Sequence, residues 1–243
     1  MKGKEDASMT TPTKELRARQ ASRITLSETP PSEWQPSLRL LTTSEYEQMI
    51  AVGIFNEDDR VELLEGVIVE MSPKSALHAA LTEDANDYFK ARLKDKAVVR
   101  SQNPILLSDL SEPEPDLVIV APPKQNYYSQ HPKSSDVLLI MEIAESSLRL
   151  DRNTKGRLYA RAGIIQYLIL NVNEMEIEDY REPSADGYRR KQTYKAGQSF
   201  NLVAFPSIKI EVSDLLPPAQ TIRTARKSKR GAKVGKASRI KVR

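Results

Sequence analysis

Cysteine is absent from this chain of 243 residues. That excludes disulfides, thiolate nucleophiles, thiolate zinc sites and iron–sulfur clusters held by cysteine. Histidine is scarce: His78 and His131 are the only two, so a three-histidine metal site cannot form within one chain. No apolar run reaches the roughly 20 residues that a spanning helix requires. The N-terminus lacks the apolar core of a signal peptide, and the expectation is a cytoplasmic protein with no membrane partner. Glycine-rich phosphate loops, dinucleotide fingerprints and internal repeats are missing too.

What is present is spread unevenly. Residues 1–37 are polar and hold no run able to build a core. Residues 217–243 are similar, and both ends are expected to be disordered. The stretch 38–216 has the length and apolar content of one domain. From Ile222 to Arg243 there are ten Lys or Arg residues and no Asp or Glu. Setting those ten charges aside turns the formal +4 of the whole chain into −6 for everything before the tail. An acidic domain with a basic tail results. Such a tail can attract nucleic acid through counterion release. Simple solvation or another anionic partner are the competing readings.

Within the middle stretch the pattern alternates between strand and helix signals. Thr42 and Glu45 form a capping-box pair ahead of a short helix that Gly53 ends. Arg60–Leu64 and Val67–Met71 flank Glu65-Gly66, which predicts a β-hairpin. Leu77, Leu81, Ala85, Tyr88, Phe89 and Leu93 recur at helical spacing over 76–93. Strands are predicted near 97–101, 103–107 and 116–120. The almost wholly apolar run Val137–Ile143 suits a central strand covered on both faces. A helix over Asp151–Ala162, a strand over Ile164–Leu170, an antiparallel pair near 174–180 and 188–194 and a last strand over 205–212 complete the series. The class is α/β, with a mixed central β-sheet flanked by helices and antiparallel additions.

Two carboxylates stand out against this background. Glu142 interrupts the apolar run Val137–Ala144, and Asp116 opens the run Leu117–Val120 after Pro113-Glu114-Pro115. A charge inside a buried strand is costly unless it is paired or bound to metal. If Asp116 and Glu142 meet, a divalent cation relieves their repulsion. Oxygen ligands without sulfur favour Mg2+ or Mn2+. Asp151, Lys155 and Tyr159 lie four apart on the predicted helix. Lys155 either forms a solvated pair with Asp151, worth a few tenths of a kcal/mol or roughly that, or turns inward to orient water or stabilise charge on phosphorus. Glu62 and Glu65 on the hairpin are candidates of lesser rank. So is His78, as a proton shuttle or phosphate contact. Gln102 and the tyrosines Tyr127 and Tyr128 carry less weight.

The string Val61-Glu62-Leu63-Leu64-Glu65-Gly66-Val67-Ile68-Val69-Glu70-Met71-Ser72-Pro73 resembles the opening motif of the Uma-two family, a mainly bacterial group of candidate endonucleases abundant in cyanobacteria. The resemblance continues through Pro113-Glu114-Pro115-Asp116, Glu142-Ile143-Ala144-Glu145-Ser146-Ser147, Asp151 with Lys155, and Tyr159-Ala160-Arg161-Ala162-Gly163-Ile164, covering about residues 40–215. It implies a restriction-endonuclease-like core of the PD-(D/E)XK type and Mg2+-dependent hydrolysis of DNA. Asp116 and Glu142 match the two acids, and Glu62 matches an N-terminal acid; these three are the implied metal ligands. The lysine usual two residues beyond the second acid is replaced by Ala144, and Lys155 matches its migrated equivalent. Asp116, Glu142, Lys155 and Glu62 are thus the implied catalytic set. A homodimer is in keeping with nucleases of this core. The chain departs from the family in places: Glu145-Ser146-Ser147 lacks a proline that the family often has in that motif, and Gln166 and Asn171 stand where acids are usual. A non-catalytic nucleic-acid-binding module, and a structural protein in which Arg149 or Arg152 pairs with Glu142, are the alternatives.

Overall fold

The structure, a computed structural model, describes residues 38–56 and 58–218. The expected polar segment 1–37 and all but the first two residues of the expected basic tail fall outside that range. No helix among the described residues is long and apolar enough to cross a membrane.

Helix α1 (Thr43–Ala51) begins at Thr42, whose side chain accepts from the Glu45 amide while Glu45 accepts from the Thr42 amide. This is the capping box the sequence predicts. Strands β1 (Val61–Leu64) and β2 (Val67–Glu70) form a hairpin in the register Leu64 to Val67. Its two turn residues, Glu65 and Gly66, both have positive φ, 51° and 78°, as a two-residue turn of matching twist requires. Helix α2 (Ala76–Leu93) follows, capped by the Ser75 side chain.

The main sheet has six strands in the order β3-β4-β5-β6-β7-β8: β3 (Val98–Ser101), β4 (Leu117–Val120), β5 (Val137–Ala144), β6 (Gln166–Asn171), β7 (Glu176–Ser184) and β8 (Gly187–Lys195). Every neighbouring pair is antiparallel except β5 and β6, which are parallel. A parallel pair needs a crossover. It is supplied by α3 (Leu148–Leu150), a π-helical turn (Asp151–Lys155) and α4 (Gly156–Arg161). A two-stranded ribbon of β9 (Ser199–Asn201) and β10 (Lys209–Glu211) closes the series.

Side chains alternate along each strand, and this divides the core in two. Leu139, Met141 and Ile143 of β5 pack with Leu81, Ala85, Phe89 and Leu93 of α2. Ile140 and Ala144 pack with Leu158 and Tyr159 of α4 on the opposite face. Glu142 shares the parity of Ile140 and Ala144, so its carboxylate belongs to the face covered by the crossover.

Three predicted elements differ. The last strand, expected over 205–212, forms only over Lys209–Glu211. No strand forms over 103–107. Pro104 has no amide to give to a ladder, and the amides of Ile105, Leu106 and Leu107 bond instead to carbonyls of Pro113, Pro132 and Ser111. The helix predicted over Asp151–Ala162 starts earlier, at Leu148, and is interrupted by the π turn, in which the Gly156 amide donates to the Asp151 carbonyl.

Among the described glycines, Gly66 in the hairpin turn has the tightest surroundings. A Cβ at Gly66 would lie 2.5 Å from the Leu40 Cβ, at a φ that side chains rarely adopt. Gly66→Ala is expected to lower unfolding free energy by about 1–3 kcal/mol. Urea denaturation is the check, with an unchanged midpoint contradicting the assigned turn.

Candidate active site

The segment Pro113-Glu114-Pro115-Asp116 explains why two glutamates are held where they are. Proline has no amide hydrogen, so only Glu114 and Asp116 carry N–H groups in this stretch. The Glu114 amide donates to Glu62 Oε2 at 3.1 Å, and the Asp116 amide to Glu142 Oε2 at 3.2 Å. An antiparallel bridge between Leu63 and Glu112 ties the hairpin to the same segment. The Gln102 amide, from a residue with φ of 53°, is shared between the Pro115 and Asp116 carbonyls. Gln102 thus positions the segment through its backbone.

Lys155 joins the two glutamates. Its Nζ lies 3.2 Å from Glu62 Oε1 and 3.0 Å from Glu142 Oε1. Tyr159, one turn on, donates its hydroxyl to the same Glu142 oxygen at 2.7 Å. Asp116 accepts from the Ile143 amide at 2.9 Å and from His78 Nε2 at 2.7 Å. Because a carboxylate only accepts, Nε2 carries the proton of that bond. The Ser75 side chain caps the first turn of α2 by accepting from the His78 amide, which fixes where the imidazole starts. Asp151 accepts from the Ser147 hydroxyl at 2.6 Å. Relative exposure is 3% for Glu62, 8% for Asp116, 3% for Glu142, 2% for Asp151 and 5% for Lys155. Five ionisable groups so deeply buried must be settled by one another.

Their protonation follows from that burial. Loss of water raises Glu142 to about 8, against the pull of Lys155 and with the push of Asp116, Asp151 and Glu62. Asp151 is raised to about 6, again by burial first. For Asp116, burial is outweighed by the His78 hydrogen bond and charge, the Ile143 amide and Lys155, which hold it below the usual aspartate range. Lys155 would lose its proton on desolvation alone. Glu142, Glu62 and Asp151 reverse this and hold it as an ammonium.

A cleft of about 70 Å³ opens onto this cluster. Its lining includes Glu62, Asp116, Glu142, Asp151 and Lys155, together with Arg60, Lys74, His78 and Glu114. At roughly 30 Å³ per water, that is room for a phosphoryl group or a few waters.

The structure therefore brings together Asp116, Glu142, Lys155 and Glu62, and adds His78 and Asp151. Tyr159, which spacing alone ranks as a packing residue, also donates to the central carboxylate. Glu65 lies outside: it is half-exposed and paired with Arg161 at 2.7 Å. Arg152 pairs with Glu178, not with Glu142. The two residues that stand where acids are usual lie away from the cleft, whereas Glu145, Ser146 and Ser147 line it. Gln166 donates to Asp179 and accepts from the Val203 amide, and Asn171 accepts from the Glu174 amide in the following turn. Neither lines the cleft. Tyr127 donates to the Ala121 carbonyl as a packing anchor, and Tyr128 is exposed. Glu114 and Lys74, 3.8 Å apart on the rim, were not singled out by the sequence; the alternating prolines were the signal for Glu114.

A family model described as "Putative restriction endonuclease", Uma2, matches residues 43–213. The chain belongs to the Uma2 family. The solved structures include one of "a putative nuclease belonging to DUF820" from Anabaena variabilis, similar with a TM-score of 0.58 at 15% identity over 72% of this chain and 97% of that one. At that identity the likeness is one of fold. No curated protein matches. For this Uma2 member the position two beyond the second acid is instructive. Ala144 is fully buried in the cluster around Tyr159, and the ammonium reaches Glu142 from the crossover instead.

Among the described residues, no group of three or more His, Asp or Glu side chains has the geometry of a bound metal. The donor chemistry nevertheless suits a hard cation, since the converging acids offer only oxygen. Replacing Lys155 tests the balance of the cluster. Lys155→Ala leaves Glu142 and Glu62 without their cation and should cost about 3–5 kcal/mol of stability at neutral pH. An acid raised by folding binds more protons folded than unfolded, so its penalty is absent below its ordinary 4.5 and fully present above about 8. Without the ammonium the folded-state shift of Glu142 is larger still, so the variant's stability should go on falling above about pH 8, where wild type's Glu142 penalty has levelled off, as measured by denaturant melts. Parallel pH profiles would contradict the pairing.

Proposed function

We propose that this protein is a divalent-metal-dependent endonuclease that hydrolyses DNA phosphodiester bonds at the cleft between Glu62, Asp116, Glu142 and Lys155. The observation that carries the reading is the buried Lys155 ammonium shared by two carboxylates, with a third acid bonded through its amide to the second. Family membership supports it. Glu62, Asp116 and Glu142 would hold Mg2+ or Mn2+, which when bound supplies charge neutralisation at phosphate and a more acidic water.

The chain's own contributions can be assigned. Asp116 is kept ionised by His78 and the Ile143 amide, and so remains an acceptor and ligand at neutral pH. Lys155 keeps its proton and offers N–H donors to a phosphate oxygen or an attacking water. Tyr159, its hydroxyl pushed well above the usual range by burial and Glu142, stays a donor and orients Glu142. A single cleft addresses one strand, and we propose a homodimer where both strands of a duplex are cut.

A second reading, a nucleic-acid-binding module without cleavage, is favoured by one observation: the Asp116 and Glu142 oxygens already accept hydrogen bonds within the protein. Cleavage of supercoiled plasmid, linear duplex and single-stranded DNA separates the two. Wild type should cut only with Mg2+ or Mn2+. Asp116→Asn, Glu142→Gln and Lys155→Ala should each lose about 100-fold or more, while Glu65→Ala, outside the cleft, should not. Circular dichroism verifies folding of each variant. No metal-dependent cutting by wild type, or full activity in Glu142→Gln, would reject the nuclease reading.

A further inference from the structure

Beside the acidic cleft lies a second, larger groove of about 730 Å³. Arg149, Arg152 and Arg157 line it, with Asn153 and Thr154, and no Asp or Glu does. Ser72, Ser146, Ser147 and Leu150 line both the groove and the cleft, so the two are continuous. An acid-free arginine groove opening directly off an acid-lined cleft needs an explanation, because solvation alone would scatter charges of both signs.

The three arginines are differently committed. Arg152 is fixed by Glu178, which also takes Lys191 and the Tyr180 hydroxyl. Arg157 donates its Nε to the Asn153 carbonyl at 3.0 Å, which orients the guanidinium and leaves its terminal nitrogens to the groove. Arg149 is exposed and makes no ion pair among the described residues. A planar fork with unused donors matches phosphate oxygens two at a time, and the neighbouring hydroxyl and amide groups suit sugar and phosphate. The same crossover segment turns Asp151 and Lys155 inward and Arg149, Arg152 and Arg157 outward. Binding in the groove would therefore bear directly on the segment that holds the lysine.

We propose that this groove is the track for the nucleic-acid backbone flanking the scissile phosphate, with Arg149 and Arg157 contacting phosphates and Arg152 serving as a fixed wall. The inference rests on the nuclease reading of the cleft, and adds where the polymer lies.

The test is binding of labelled single-stranded and duplex oligonucleotides to the full chain in EDTA, followed by fluorescence anisotropy across a salt series. The variant Arg149→Ala/Arg157→Ala is compared with Arg190→Ala, an exposed arginine on β8 away from the groove. The double variant should bind at least tenfold more weakly near 0.1 M salt. Its log K against log[salt] slope should be shallower by about 1 to 2, at roughly 0.9 per duplex phosphate contact and 0.7 for single strands. Arg190→Ala should match wild type. A double variant indistinguishable from Arg190→Ala would overturn the proposal, even if cleavage depends on Lys155. Arginine-dependent binding by a wild type that never cuts DNA would uphold the track and reject the nuclease reading alone. A preference for inorganic phosphate, competing at the groove as well as the oligonucleotide does, would also overturn it.

Discussion

The ammonium of Lys155, held between Glu62 and Glu142 in the protein interior, is the interaction on which the rest depends. Removing such charges from water costs several kcal/mol per ion, and only close pairing with full hydrogen bonding offsets it. Each element around the cluster can be understood as meeting that demand. The hairpin brings Glu62, the central strand brings Glu142, and the crossover brings Lys155 and Tyr159. A hydrophobic triad of similar volume could fill the space without any of this. Retaining the charges therefore argues for a use beyond cohesion.

Precision in the cluster comes from backbone amides more than from side chains. The alternating prolines leave two N–H groups, and both are given to the two glutamates. A third amide, from Ile143 beside Glu142, is given to Asp116. Asp116 and Glu142 are thus cross-tied, each accepting from the backbone next to the other. Amides fixed in a strand and a proline-restricted segment cannot rotate away, so the carboxylates are oriented before any ligand arrives. The acids also differ in protonation because their partners differ. Asp116 accepts from the His78 imidazole and the Ile143 amide, whereas the deeper Glu142 shares one ammonium with Glu62 and feels the charges of Asp116, Asp151 and Glu62.

Glu142 was visible in the sequence because a charge in an otherwise apolar run violates the burial pattern. Asp116 was visible because it stands at the start of the next such run. The hairpin, the long helix and the mixed sheet followed from turn chemistry and periodicity alone. Lys155 was legible only as one of two readings, since spacing of four along a helix does not say which side faces the core. The π turn that carries it has no periodicity signal of its own. Glu114 escaped because its contribution is an amide, which every residue possesses. Gln166 and Asn171 illustrate the opposite error. As replacements for acids they drew attention to the site, yet their side chains satisfy β7, the Val203 amide and a turn. The strand expected over 103–107 failed for a local reason, since loop carbonyls took the amides a ladder would have used.

An acidic cleft in an acidic domain is an unfavourable destination for a polyanion, and the geometry around it bears on how that conflict is resolved. Arg60 and Lys74 line the cleft on one side, and the arginine groove adjoins it on the other. Positive charge at short range matters more here than net charge, because at physiological salt fields decay within about 8 Å. Under the proposed function a basic segment such as that beyond Ile222 would raise the local concentration of nucleic acid without aiming a phosphate. Aim requires fixed donors, and Arg157, oriented by Asn153, stands beside Arg152, which Glu178 holds in place as the wall. The burial of Glu178 beneath Arg152 then has a reason: it spends a buried acid to immobilise an arginine on the wall of the groove that opens into the cleft.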